Sequence, residues 1–284
     1  MTHQSAKALG ALRTAFRDDG VVYVPQALDA AAMALAEKAF AWSLHHPGPG
    51  ASNVLAGRTG EFYQDHANPL ALSAYRPLLF DTPLSALVAE LLDSRHLWLL
   101  YEQIWLKDGG DTLRTPWHQD LPYVPLAGDH LATAWINLDP VVRERSLEFV
   151  RGSHRGPLYN PTAFDPDDPK AVMYGEGTWP ALPDVDAERL VWPIESWPIV
   201  PGDVVIFHPA VLHGGAPTCG GARRRTISLR FFGDRAYCAA RPQEGLAPED
   251  QLAVGRPGWD DPMIEMARRP PGSLFRHPAF MQLC

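Results

Sequence analysis

The sequence predicts a mainly β core standing behind a helical N-terminal layer, and three observations carry that reading. Short runs rich in Val, Ile, Leu, Phe and Trp recur at 96–107, 131–138, 147–150, 204–208 and 226–232. Clusters of Gly, Pro and Asp divide them, as turns divide strands. Ahead of them, apolar side chains fall at helical spacing instead. A length of 284 residues with 46% hydrophobic and 20% charged content suits a single domain over 1–284. Its expected parts are a helical layer at about 1–95, a β core at about 96–240 and a tail at 241–284.

In chain order, 6–18 reads as a first helix stopped by Asp19-Gly20, and Val21-Val22-Tyr23-Val24 as a short strand ended by Pro25. Asp29 is placed to cap a second helix over 30–44. The stretch 45–69, rich in Gly, Pro, Asn and Ser, has no clear period and reads as a long loop of the kind that forms lids; Tyr63 and Gln64 lie on it. Asp81-Thr82 opens another helix over 83–92. Among the β runs, the Pro-rich connection 155–201, with Trp179, Trp192 and Trp197, reads as an insertion covering one mouth of the barrel. There is no internal repeat.

A net charge of -8 and a pI near 5.7 argue against nucleic acid or an anionic membrane as partner, the cluster Arg223-Arg224-Arg225 being a local exception. The apolar patch 97–106 is too short to span a bilayer and contains Glu102. No signal-peptide pattern opens the chain. Cys219, Cys238 and Cys284 show no CxxC spacing and read as free thiols of a reducing compartment. The expectation is a cytoplasmic protein acting on a small molecule, with no nucleic-acid or membrane partner; its oligomeric state is not legible.

The chemistry concentrates in Thr115-Pro116-Trp117-His118-Gln119-Asp120. A His and an Asp two apart on a strand project from one face toward one point, which can hold a metal. Alone the pair is weak, since a strand His is more often a satisfied core or surface residue. A third ligand follows the apolar run of Pro201-Gly202-Asp203-Val204-Val205-Ile206-Phe207: His213 stands before Gly214-Gly215, where a turn can present it inward. Two His and one carboxylate on one face of Fe(II) leave the opposite positions open, the arrangement of non-haem iron oxygenases. Eleven residues on, Arg224 heads the strand 226–232, and its guanidinium can bind in bidentate fashion a carboxylate that also approaches the metal. Arg225 and Arg230 remain rivals, as does His208 for His213. His154 is expected to fix a turn and Asp203 to hold one. Tyr101, Trp105, Trp117 and Tyr123 flank the site as substrate wall or as core.

Together these residues resemble the phytanoyl-CoA dioxygenase family of Fe(II)- and 2-oxoglutarate-dependent oxygenases. The likeness runs from the first helix to about Arg241 and rests on Trp117-His118-Gln119-Asp120-Leu121-Pro122-Tyr123-Val124-Pro125, Ala134-Trp135, Gly152-Ser153-His154-Arg155, the 201–207 run, His213 and Arg224. It implies His118, Asp120 and His213 as the iron ligands and catalytic residues. Arg224 would hold the far carboxylate of 2-oxoglutarate, and Trp135 would line the co-substrate site. It implies Fe(II), 2-oxoglutarate and O2, with release of succinate and CO2 and hydroxylation of an unactivated C–H bond. The expected fold is a double-stranded β-helix, a cupin-like jelly roll with flanking helices.

Two departures stand out: Gly215 where many relatives carry Ser, with Gln103 a candidate replacement donor, and Glu144-Arg145-Ser146 where many have Asn-Gly. Asp120 stands where halogenating relatives have a small residue, so hydroxylation is the default, with desaturation and epoxidation as variants. Two further classes stay open: a non-catalytic metal-binding barrel serving as sensor or scaffold, and a zinc hydrolase. No general base for a hydrolase stands out. The acidic balance leans toward a small organic metabolite rather than a CoA ester.

Overall fold

A computed structural model describes residues 3–53, 60–109, 114–165, 168, 170–175, 177, 179–215, 218, 221–242 and 262–284, with side chains from residue 8 onward. Cys219 lies outside the described residues; Cys238 and Cys284 are free thiols.

Helix α1 (His3–Asp19) ends at Gly20, whose φ of 75° is the left-handed value a helix terminus favours. Any side chain there would run into the His154 ring. Strand β1 (Val21–Val24) follows at once. Helix α2 (Ala30–His45) starts where the Asp29 carboxylate accepts a hydrogen bond from Ala32 N–H at 2.8 Å. Then come β2 (Ser52–Asn53), β3 (Glu61–His66), α3 (Ala71–Phe80) and α4 (Leu84–Leu92). The β-rich part holds β4 (Leu97–Asp108), β5 (Thr115–His118), β6 (Leu126–Ala127), β7 (Leu131–Asn137), β8 (Leu147–Val150), β9 (Ile194–Glu195), β10 (Val204–Phe207), β11 (His213–Gly215), β12 (Arg223–Gly233) and β13 (Tyr237–Cys238). Helix α5 (Pro262–Ala267) lies in the C-terminal region.

Seven strands form one antiparallel sheet in the order β1-β10-β7-β12-β4-β3-β2, and four form a second in the order β5-β11-β8-β9. Alternation along each strand divides the large sheet's two faces. Ile227, Leu229 and Phe231 of β12, with Ala134 and Ile136 of β7, pack in one cluster with Phe40, Tyr75, Leu78 and Val88 of the helices. Opposite, Val21, Val205 and Phe207 of the large sheet meet Leu147 and Phe149 of the small one. Two facing sheets with helices on one outer side make the double-stranded β-helix. The C-terminal region closes one end, where Met263, Met266, Phe275 and Phe280 pack with Leu121, Leu126 and Phe232. Among the described residues, no helix is long and apolar enough to cross a membrane.

Three local expectations need correction. The stretch read as a lid ends in β3, which runs antiparallel to β4 with Gln64 opposite Trp105. Its largely polar sequence Glu-Phe-Tyr-Gln-Asp-His hid a strand in which Phe62 packs beside Trp105 and Gln64 bonds Gln103. Helix α3 was not foreseen, because Pro77 lies inside it. Asp120 is not on a strand: β5 ends at His118, and Asp120 has helical φ and ψ of -72° and -31° at the head of a 3-10 turn, Leu121–Tyr123.

Candidate functional site

Strand β11 lies between β5 and β8, with His213 directly opposite His118 and Phe149. Cross-strand pairing therefore brings the two imidazoles to 4.2 Å between centroids. The turn after β5 carries Asp120 back beneath them, its Oδ1 3.4 Å from His118 Nε2 and 3.8 Å from His213 Nε2. One donor atom from each residue lies within 4.8 Å of the others. All three residues are buried.

Backbone carbonyls fix which ring nitrogen faces the centre. His118 Nδ1 donates to Pro116 O at 2.8 Å and His213 Nδ1 to Val211 O at 3.0 Å, so the Nε2 lone pairs converge with the carboxylate. Burial, then the neighbouring His118, lowers His213 to about 3, which keeps that ring neutral. Burial would raise the Asp120 carboxyl, but Arg230, His118 and His213 together hold it well below the usual carboxylate range. Two imidazole nitrogens and one carboxylate oxygen converging on one point fit a divalent ion such as Fe(II).

The inward face of β12 supplies the charge around this point. Arg224, Thr226, Ser228 and Arg230 alternate along it, all buried. Arg230 donates from Nη2 to Asp120 Oδ2 at 3.1 Å, and its guanidinium carbon lies 4.7 Å from the centre of the Tyr101 ring. The register with β4 slips between Arg230 and Phe231, where Leu100 is the extra residue, a bulge of the kind that re-aims side chains beside a site. Arg225 points the other way and grips Asp139 and Glu37 of α2. Arg224 donates from Nη1 to Arg145 O at 2.7 Å, and among the described residues no carboxylate pairs with it. Burial lowers it to about 10. Of the three arginines weighed from sequence, two are committed to protein carboxylates and Arg224 is not.

Ser228 stands opposite both Gln103 of β4 and Trp135 of β7, which places those two side chains on the same inward face. Gln103 donates to Gln64 Oε1 at 3.2 Å. Trp135 packs against the Phe149 and Phe207 cluster. From the connection 155–201, Phe164 sets its ring edge-on to His118 at 5.0 Å. It is held with a left-handed φ of 53°, and its neighbour Thr162 accepts from Tyr123 Oη at 2.7 Å. Gln119 ties this connection down: its amide donates to Ala210 O and Pro157 O, and its carbonyl accepts from Tyr159 N–H. Composition gave no sign of Phe164. Lys107 was also missed, although period-two alternation puts it on the face of Gln103 and Trp105.

The rival ligand His208 is a structural group. Its Nε2 donates to Gly128 O at 3.0 Å while Nδ1 accepts from Ala210 N–H, and burial lowers it to about 4. A folded value below the unfolded one means the unfolded chain binds the extra proton, so stability falls as pH drops from 6.5 toward 4. The His208 share of that loss is about 3 kcal/mol over the window. Urea unfolding across it should be steeper in pH for the native chain than for His208→Gln, and equal slopes would refute the neutral-ring assignment. His154 contacts Arg17 O and closes over Gly20, and Asp203 accepts from Val200 N–H and Gln26 N–H, both holding turns as expected.

Residues 16–226 match the sequence model of the family described as phytanoyl-CoA dioxygenase (PhyH). A probable phytanoyl-CoA dioxygenase of Caenorhabditis elegans is 30% identical over 129 residues, 45% of this chain and 39% of that protein. The peroxisomal phytanoyl-CoA dioxygenase of Mus musculus is 29% identical over 146 residues, 50% of this chain and 41% of that one. The matched stretch thus spans about two fifths of the length of these curated relatives. Among solved structures, the epimerase SnoN in complex with Fe3+, alpha ketoglutarate and nogalamycin RO superposes with a TM-score of 0.70. The superposition covers 98% of this chain and 100% of that one at 23% identity, a likeness of fold.

Proposed function

This chain belongs to the phytanoyl-CoA dioxygenase family, and from that premise we propose that it is an Fe(II)- and 2-oxoglutarate-dependent oxygenase that hydroxylates an unactivated C–H bond of a small organic metabolite. The observation that carries the proposal is the convergence of His118, Asp120 and His213 within 4.8 Å beside a buried arginine with no described carboxylate partner. Bound Fe(II) with 2-oxoglutarate supplies the oxidative chemistry, releasing succinate and CO2 and delivering one oxygen atom of O2 to the substrate.

The chain's own residues bind, orient and exclude water. His118 and His213 offer Nε2 because their Nδ1 protons are held by carbonyls. Asp120 would offer Oδ1 to the metal, because Arg230 already engages Oδ2. Arg224 draws the far carboxylate of the co-substrate to the deep end of the sheet, and Trp135 and Gln103 flank its path. Phe164 and Tyr123 wall the mouth and shed water from it.

The test is an anaerobic titration of the metal-free protein with Fe(II) and 2-oxoglutarate, following the visible metal-to-ligand charge-transfer band. A saturable band in the native protein is expected. In Arg224→Ala the band should persist at saturation but need about 100-fold more 2-oxoglutarate, the scale of a lost charge-assisted pair. Metal bound with no band in the native protein would refute the proposal and favour a zinc hydrolase or a non-catalytic metal barrel.

A further inference from the structure

Well along β12 from Arg224, roughly 20 Å at the rise of an extended strand, the barrel holds a cavity of about 10 Å3, room for a single water molecule. Most of its lining is apolar, as at Leu131 and Phe231, and Asp120, Arg230 and Thr133 bring polar groups to it. Thr133 of β7 stands directly opposite Arg230 of β12, on the inward face. Its hydroxyl is fully buried and has no hydrogen-bond partner among the described residues, and neither has Arg230 Nε. The rest of that guanidinium is engaged. Nη2 donates to Asp120 Oδ2 at 3.1 Å and Nη1 to Ser228 Oγ at 3.4 Å, while one face lies against the Tyr101 ring. In any arginine, Nε–H and one Nη2–H leave the same edge of the guanidinium in parallel, so the unserved proton points out beside the bond to Asp120.

We propose that this cavity is the site of one internal water, which accepts from Arg230 Nε–H and donates to Thr133 Oγ1 and to the Asp120 carboxylate, and that Thr133 is thereby a positioning residue for the metal-facing carboxylate. The positioning role rests on the metal-binding part of the oxygenase reading; the water site does not. A buried donor and a buried hydroxyl left without partners would each carry the full cost of desolvation, and one bridging molecule removes both costs. Three hydrogen bonds are the usual complement of a buried water. Arg230 already has its counter-charge in Asp120, so a neutral occupant suits the cavity better than an anion. With Nε held, the guanidinium edge that grips Asp120 Oδ2 is fixed at two points instead of one. Oδ1 then stays where it lies, 3.4 Å from His118 Nε2 and 3.8 Å from His213 Nε2. The turn after β5 is thus fastened to β12 directly and to β7 through the water.

The experiment pairs crystallography of the metal-free native protein, Thr133→Ser and Thr133→Val with Mn(II) affinity, read from the electron paramagnetic signal of the free ion with no keto acid present. Native and Thr133→Ser crystals should show one ordered water about 2.7–3.2 Å from Arg230 Nε and from the hydroxyl at position 133. Valine matches threonine in shape without the hydroxyl, so Thr133→Val should lose or displace that water. Mn(II) affinity should fall about 10-fold in Thr133→Val, the scale for an outer partner of a metal ligand, and stay within about 2-fold of native in Thr133→Ser. In an Arg230→Met background the valine substitution should change affinity by less than about 2-fold, as when one residue acts through the other. A full additional loss there would assign Thr133 to packing and overturn the positioning role, as would native Mn(II) affinity in Thr133→Val. A native cavity without water density, in a map that shows other buried waters, overturns the water site even if Thr133→Val fails to fold. Native protein that binds no Mn(II) would sink the metal-binding reading and the positioning role with it, and the maps would then decide the water site by themselves.

Discussion

Replacing His118 by alanine should strip the protein of Fe(II) and reduce oxygenase turnover to background. His118 Nε2 is one of three converging donors, and the Nδ1–Pro116 hydrogen bond leaves the ring no other use. Two other buried or half-buried histidines are engaged elsewhere, His208 with Gly128 and His154 with Arg17. Losing an outer partner of a metal ligand costs about 10- to 100-fold in affinity, so loss of a ligand itself should exceed about 100-fold. The fold should survive, because the cavity opens beside Phe164 and Tyr123 at the mouth rather than in the helical core. Metal content after desalting, together with the charge-transfer titration, checks this. Stoichiometric iron and an unaltered band in His118→Ala would remove the residue from the centre.

The second large effect is on stability. Arg230→Met should destabilise the metal-free protein by about 3–5 kcal/mol, because it leaves the Asp120 carboxylate buried without its cation. The loss should shrink once a divalent ion is bound, since the metal then supplies the missing positive charge. Urea unfolding with and without Mn(II) measures both numbers. The pH dependence should weaken as well. In the native chain Asp120 lies below its unfolded value, so its contribution is present above about pH 4 and is lost as pH falls further. With Arg230 gone, the largest charge holding the carboxyl down is removed, and the loss of stability of the metal-free protein below about pH 4 should be smaller than in the native chain. An equal loss in metal-free and metal-loaded protein would mean that Arg230 acts by packing rather than by neutralising Asp120.

The site's donor atoms were legible before the fold was, because His118, Asp120 and His213 stand at spacings that need only one strand pair to unite them. The strands themselves were legible where both faces are apolar, as at β10, and where alternation is clean, as at β12. Strand β3 was not, since only Phe62 and Tyr63 of its six residues are apolar or aromatic and the rest are polar, so its sequence looks like a loop. The choice among Arg224, Arg225 and Arg230 was beyond sequence for a related reason. Strand alternation separates Arg225 from the other two, but only the position of Asp120 past the end of β5 shows that Arg230 is taken.

Gln119 sits between two of the three converging donor residues, His118 and Asp120, and fastens the long connection through Pro157 and Tyr159. The long connection is thereby tied directly to the residue between His118 and Asp120. Grafting a foreign 155–201 segment onto this scaffold would succeed only if the donor loop offers backbone partners at both points; otherwise the graft would pull His118 and Asp120 out of alignment and lose iron before it gained a new substrate.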